Sequence, residues 1–196
     1  MGVLPAANKE AIRKAIYFGK AVSSSLSNTI ICWDRKHYEY PDLPKNFQLT
    51  QFQKPIIPDG IISCYRNDGT TFSVNLEQVH IEEDAAKLMH ERNHTLVDFN
   101  KSGVPLIEVV TKPCIHRIED ASLYAQYLQR IVQNLKISNA NLEKGEFKSD
   151  VSVSLRMKGT NDLNARAEIK NLNSFKFMIE ALVEEVTKQL EYYKEY

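Results

Sequence analysis

Apolar residues recur at three-to-four spacing in three stretches of this chain and at alternate positions in several others, so helices and strands are mixed along it. Asn8 is placed to cap a helix running to about Ser25, with Ala11, Ile12, Ala15, Ile16 and Phe18 on its apolar side. A second helix is expected over 118–135, carrying Ala121, Tyr124, Leu128, Ile131, Val132 and Leu135. A third starts near Asn173 and Ser174, with Phe175, Met178, Leu182, Val183, Val186 and Leu190 on one side. Strand-like runs at Gly60–Tyr65 and 70–84 are joined by Asn67, Asp68 and Gly69, a strong hairpin signal. Further strands are expected at 104–110, behind the turn Ser102-Gly103, at 148–157 and at 165–170. Residues 40–44 hold two prolines and should form an ordered loop, because proline removes a donor and restricts its predecessor. Hairpins rather than strict βαβ units make the expected class α+β.

The informative chemistry lies where acids interrupt apolar faces. A strand's period of two puts Val79, Ile81 and Glu83 on one face and His80, Glu82 and Asp84 on the other. Glu83 therefore shares a face with apolar residues, and Glu108 sits between Leu106 and Val110 in the same way. A carboxylate buried alone is costly and demands a proton, a cation or a partner. Two such acids side by side would suit a hard cation such as Mg²⁺; the competing reading is that each pairs with a lysine or arginine. Glu82 and Asp84 are expected on a solvated face, and His80 and His90 as ordinary polar residues. By the same parity Lys148 and Asp150 share the polar face of their strand.

Composition narrows this further. Twenty-five basic and twenty-five acidic residues among 196 argue against wholesale wrapping of nucleic acid, while leaving room for RNA held locally. The apolar runs fall short of the roughly 20 residues that a spanning helix needs, so no membrane role is expected. Cys32, Cys64 and Cys114 are scattered, which speaks against a zinc cluster and for buried free thiols in a reducing compartment. The phosphate-loop, dinucleotide-binding and nucleophile-elbow signatures are all missing from the sequence.

Six motifs, in order, resemble one family over essentially the whole chain. They are Gly2-Val3-Leu4-Pro5; the stretch DRKHYEYPDLP from Asp34; HIEEDAAK from His80; LVDFNKSGVPLIEVV from Leu96; the acid-and-glycine segment around Glu143; and KNLNSF from Lys170. These are similar to segments of the B subunits of the aspartyl/glutamyl-tRNA amidotransferases. The resemblance implies a mixed or antiparallel sheet cradle with flanking helices. It also implies phosphorylation, with ATP and Mg²⁺, of the side-chain carboxylate of misacylated Glu-tRNA(Gln), Asp-tRNA(Asn) or both. Ammonia, supplied by the amidase (the A subunit), then displaces the phosphate, and a small C subunit holds the other two together. Glu83 and Glu108 match acidic metal-site positions, Lys36, Tyr38 and Asp150 match polar positions near the ammonia path, and Glu143 matches a further acid.

Some elements depart from that pattern. A first strand carrying GLE-x-H and the helical and tail domains that follow are not in the sequence, so residues 1–196 read as one partial catalytic domain, cut at both ends. Such a piece is expected to be inactive unless completed. Lys144, Ser149 and Ala86 stand where the family commonly has an acid, a cysteine and a glycine. The runner-up is a non-catalytic scaffold that docks the amidase or tRNA. The resemblance points to bacterial cytoplasm, with a mitochondrial matrix as the alternative.

Overall fold

Asn8 caps the first helix as its sequence context implies: its Oδ1 accepts hydrogen bonds from the Glu10 and Ala11 N–H groups at 2.9 and 3.1 Å. This is seen in a computed structural model that describes residues 6–26 and 30–195; the Gly2–Pro5 motif lies outside the described residues. Helix α1 (Lys9–Ala21) buries Ala15, Phe18 and Gly19. It ends four residues before the expected Ser25, because the chain turns through a left-handed Ser23 (φ 56°). Asp59 then takes over the serines: its carboxylate accepts from Ser24 Oγ and Ser25 N, both at 2.8 Å. A Cβ on Gly19 would lie 2.7 Å from Leu26 Cδ2 and 3.0 Å from Ile57 Cγ1, so this close approach requires glycine.

The strands are β1 (Asp34–His37), β2 (Phe47–Thr50), β3 (Gly60–Tyr65), β4 (Thr71–Glu83), β5 (Lys87–His90), β6 (Thr95–Asp98), β7 (Pro105–Thr111), β8 (Ser149–Val153) and β9 (Ala167–Leu172). They form small sheets, β1–β2, β3–β4–β7, β5–β6 and β8–β9. The pairs β1–β2, β4–β7, β5–β6 and β8–β9 are antiparallel. With helices α2 (Ile118–Asn134) and α3 (Phe175–Glu195), the fold is α+β. Gly69 takes φ +82° in the expected hairpin, and Gly103 takes φ +79° in the turn before β7. Among the described residues no helix is long and apolar enough to cross a membrane.

The chain divides into two compact units. The first holds α1, β1, β2, most of the β3–β4–β7 sheet and the β5–β6 hairpin. Its core is made by Phe18, Val22, Ile57, Val74, Leu76 and Val79, all at most 1% exposed. Fully burying a side chain of this kind contributes about 1.5–3 kcal/mol. The register of β4 slips between Leu76 and Gln78. Before that bulge the even positions Val74 and Leu76 are buried; after it the odd positions Val79 and Ile81 are. The strand thus changes which parity faces the core halfway along its length.

The second unit gathers the hairpin tip Cys64–Phe72 and the chain from Cys114 onward. Ala125, Met178 and Leu182 form its buried centre, with Val151, Val153, Ile169 and Leu172 packed against them. Arg66 makes a two-pronged bond to Asp120, 2.8 Å at each oxygen, and stacks 4.7 Å from the Phe72 ring centre. Ser174 Oγ accepts the Phe177 N–H at 3.0 Å and opens α3 where the sequence places it. Of the three cysteines only Cys64 is fully buried, and burial pushes its thiol up to about 11; Cys32 and Cys114 are half-buried.

Candidate functional site

Past the bulge, β4 and β7 pair His80 with Glu108, Glu82 with Leu106 and Glu83 with Pro105. Residues directly opposite in an antiparallel pair share a face. His80, Glu82 and Glu108 therefore project to one side, and Glu83 projects to the other with Val79 and Ile81. One potential ligand atom from each of His80, Glu82 and Glu108 lies within 4.8 Å of the others. The structure brings Glu108 to His80 and Glu82 and leaves Glu83 on the opposite face.

Glu83 has its own partners. Lys45 Nζ reaches both carboxylate oxygens, at 2.7 and 2.5 Å, and the Leu49 N–H donates to Oε2 at 3.0 Å. Gln48 Nε2 donates to the Glu83 carbonyl at 2.6 Å, and Gln51 Oε1 accepts from the Ile81 N–H at 3.0 Å. The acid that parity places among apolar residues is thus paired with a lysine, and β2 is stitched to β4 through it.

The other face lacks such a lysine contact. His80 Nε2 lies 3.2 Å from Glu108 Oε2, while His80 Nδ1 is buried without a hydrogen-bond partner among the described residues. Burial, followed by the nearby charge of Glu108, holds the Glu82 carboxyl above the usual carboxylate range; His80 and Lys36 oppose this. The hydrogen bond with His80 holds Glu108 below that range, helped by Lys36 and by a bond with Glu82. Two neighbouring carboxyl groups shifted in opposite directions can share one proton, or hold one cation in its place.

These environments revise two expectations. Glu82 is half-buried rather than solvated, since both His80 and Glu108 crowd it. The Glu108 side chain, by contrast, is 50% exposed, because β7 is the edge of its sheet. His80 is 6% exposed and belongs to the cluster rather than to a plain polar surface. The alternation His80-x-Glu82 opposite an acid on a second strand was the available signal, but only the register identifies that acid.

Lys36 on β1 acts electrostatically on Glu82 and Glu108, and Glu82 on Tyr38. Burial first, then the charges of Asp42 and Glu82, raise the Tyr38 phenol. Lys36, Tyr38 and Glu108 thus belong to one neighbourhood of the first unit. Glu143 and Asp150 belong to the second unit and are exposed. Glu143 lies in a turn where the Gly145 N–H bonds to the Leu142 carbonyl at 3.0 Å, and Asp150 is on the outer face of β8.

The donor set suits a divalent cation: two carboxylates, one unpaired by lysine and held partly protonated by burial, and an imidazole with an orphan buried nitrogen. Donors about 2.1 Å from an ion lie at most about 4.2 Å apart, so the 4.8 Å cluster needs to close by well under 1 Å.

A family profile described as the GatB/GatE catalytic domain matches residues 1–196. Among curated proteins, the B subunit of the aspartyl/glutamyl-tRNA(Asn/Gln) amidotransferase of Helicobacter pylori (strain HPAG1) is 44% identical over 188 residues, covering 96% of this chain and 39% of that protein. The protein of the same name from Sulfurovum sp. (strain NBC37-1) is 43% identical over 194 residues, 99% of this chain and 40% of its own length. That from Chlamydia muridarum (strain MoPn / Nigg) is 44% identical over 192 residues, 98% and 39%. The chain spans about two fifths of the length of these relatives.

Proposed function

The chain belongs to the GatB/GatE catalytic-domain family, and from that premise we propose that it supplies the carboxylate-activating site of a tRNA-dependent amidotransferase. The substrate is a misacylated tRNA bearing glutamate, aspartate or either, and ATP is the phosphoryl donor. The His80–Glu82–Glu108 cluster carries the reading, because it is a cation-ready site within a domain matched from end to end.

A carboxylate is a poor electrophile, so amide formation needs a leaving group on the carbonyl carbon. Transfer of the terminal phosphoryl group from ATP to a carboxylate oxygen provides one, and ammonia then displaces phosphate to give the amide. A divalent cation, Mg²⁺ by expectation, offsets negative charge on the transferring phosphoryl group when bound. Glu82 and Glu108 would hold it, with His80 fixing Glu108 from the inner side. Lys36 adds positive charge at the exposed rim, which favours an anionic substrate. Glu83 acts as an anchor for Lys45 and β2, keeping the strand that carries Glu82 in place. An amidase that delivers ammonia and a small linking subunit are the partners this reading calls for, with Tyr38, Glu143 and Asp150 as polar groups along the ammonia route.

The reading is tested with the chain combined with its amidase and small linking subunits. ATP-dependent conversion of Glu-tRNA(Gln) or Asp-tRNA(Asn) should depend on added divalent metal and fall at least about 100-fold in Glu108→Gln. Saturable metal binding lost in Glu82→Gln and Glu108→Gln supports the site. Metal binding and activity indifferent to both changes would leave the domain a docking scaffold.

A further inference from the structure

His80 is the single nitrogen donor in an otherwise carboxylate set, and its burial is hard to explain by packing alone. The ring is 6% exposed, directly opposite Glu108 in the β4–β7 register, with Nε2 3.2 Å from Glu108 Oε2. Its Nδ1 is buried with no hydrogen-bond partner among the described residues, whereas buried polar side-chain atoms ordinarily find one. The residues flanking it, Val79 and Ile81, face the apolar core, so a core function for this strand position is already served from the other side.

Ligand type selects metal. Mg²⁺ prefers an all-oxygen shell and parts reluctantly with its waters, whereas imidazole suits transition divalents better. We propose that His80 is a specificity-determining ligand of this site, giving it a preference for a divalent cation that accepts an imidazole nitrogen, Mn²⁺ above Mg²⁺. The inference rests on the metal-site reading above and goes beyond it in naming which ion the site favours and which residue decides.

The probe is the wild-type chain titrated with Mn²⁺, followed by loss of the free-ion electron paramagnetic resonance signal, with Mg²⁺ as competitor. Mn²⁺ should bind at least about tenfold more tightly than Mg²⁺. Pulsed resonance on the bound Mn²⁺ should show modulation from a directly coordinated imidazole ¹⁴N; this readout needs no variant and does not depend on a mutant's folding. In His80→Gln that modulation should vanish, and the two affinities should converge to within about threefold. Bound Mn²⁺ without ¹⁴N modulation overturns the proposal, as does an unchanged Mn²⁺-to-Mg²⁺ ratio in His80→Gln. Failure of the metal-site reading itself looks different: neither ion binds, or binding survives both Glu82→Gln and Glu108→Gln.

Discussion

Glu82 and Glu83 are consecutive residues of β4, yet one carboxylate is gripped by Lys45 and a backbone N–H while the other is crowded against Glu108 and His80 with no lysine contact. The face of Glu83 is the core face, where Ile81 is 2% exposed and a charge survives only because partners satisfy it. The face of Glu82 leaves charge unsatisfied by protein. The contrast teaches that a structural carboxylate and a candidate ligand are distinguished by what neutralises them, not by how apolar their neighbours are. Polar pairing marks the first; opposed protonation beside an orphan imidazole nitrogen marks the second.

Changes on the two faces should therefore differ in kind. The largest expected effect is on the core face: Ile81→Ala should lower unfolding free energy by about 2–5 kcal/mol in a urea titration, whereas Leu106→Ala, half-buried on the site face, should cost about 1 kcal/mol or less. Equal losses would erase the distinction between faces. Next, Glu83→Gln should destabilise by about 1–3 kcal/mol, since it leaves Lys45 without its counter-charge and weakens the bond from Leu49 N–H. Metal affinity should change little beside that of Glu108→Gln; parallel calorimetric titrations of the two variants decide the matter.

Glu82→Gln should do the reverse, raising metal-free stability at neutral pH by about 1 kcal/mol or less. The sign follows from linkage. The folded-state pKa of Glu82 is raised above the ordinary 4.5, so the folded protein keeps a proton that the unfolded chain has lost, and stability falls as pH rises through that window. The variant's advantage should fade below about pH 4.5 and reverse when saturating Mn²⁺ is added; urea midpoints against pH and metal report both. For Glu108, held below the ordinary value, the contribution is present above 4.5 and is lost as pH falls through the depressed pKa. The smallest effect is electrostatic: Lys36→Gln should raise the pKa of both Glu82 and Glu108, visible in side-chain carboxyl NMR titrations, with little change in fold stability.

Much of the fold was legible before the structure. The Asn8 cap, the hairpin at Gly69, the turn at Gly103 and the start of α3 at Ser174 are local features, each set by residues within a few positions of one another. The strands left unassigned, β1, β2, β5 and β6, are four residues long, and sequences such as DRKH carry no apolar alternation. They are strands because of what they pair with, and β2 is tied to β4 by Gln48, Gln51 and the Leu49 N–H rather than by any pattern of its own.

The site divides along the same line. The sequence alone determined that Glu83 faces the apolar side of β4 and that His80 and Glu82 face away from it, because parity is a property of one strand. It also determined the family, since the motifs are read directly. Which acid of a second strand meets which face was decided only by the tertiary structure: the bulge after Leu76 resets the phase of β4, and the register sets Glu108 opposite His80. A one-residue slip would have exchanged the two faces, and nothing within either strand fixes that choice.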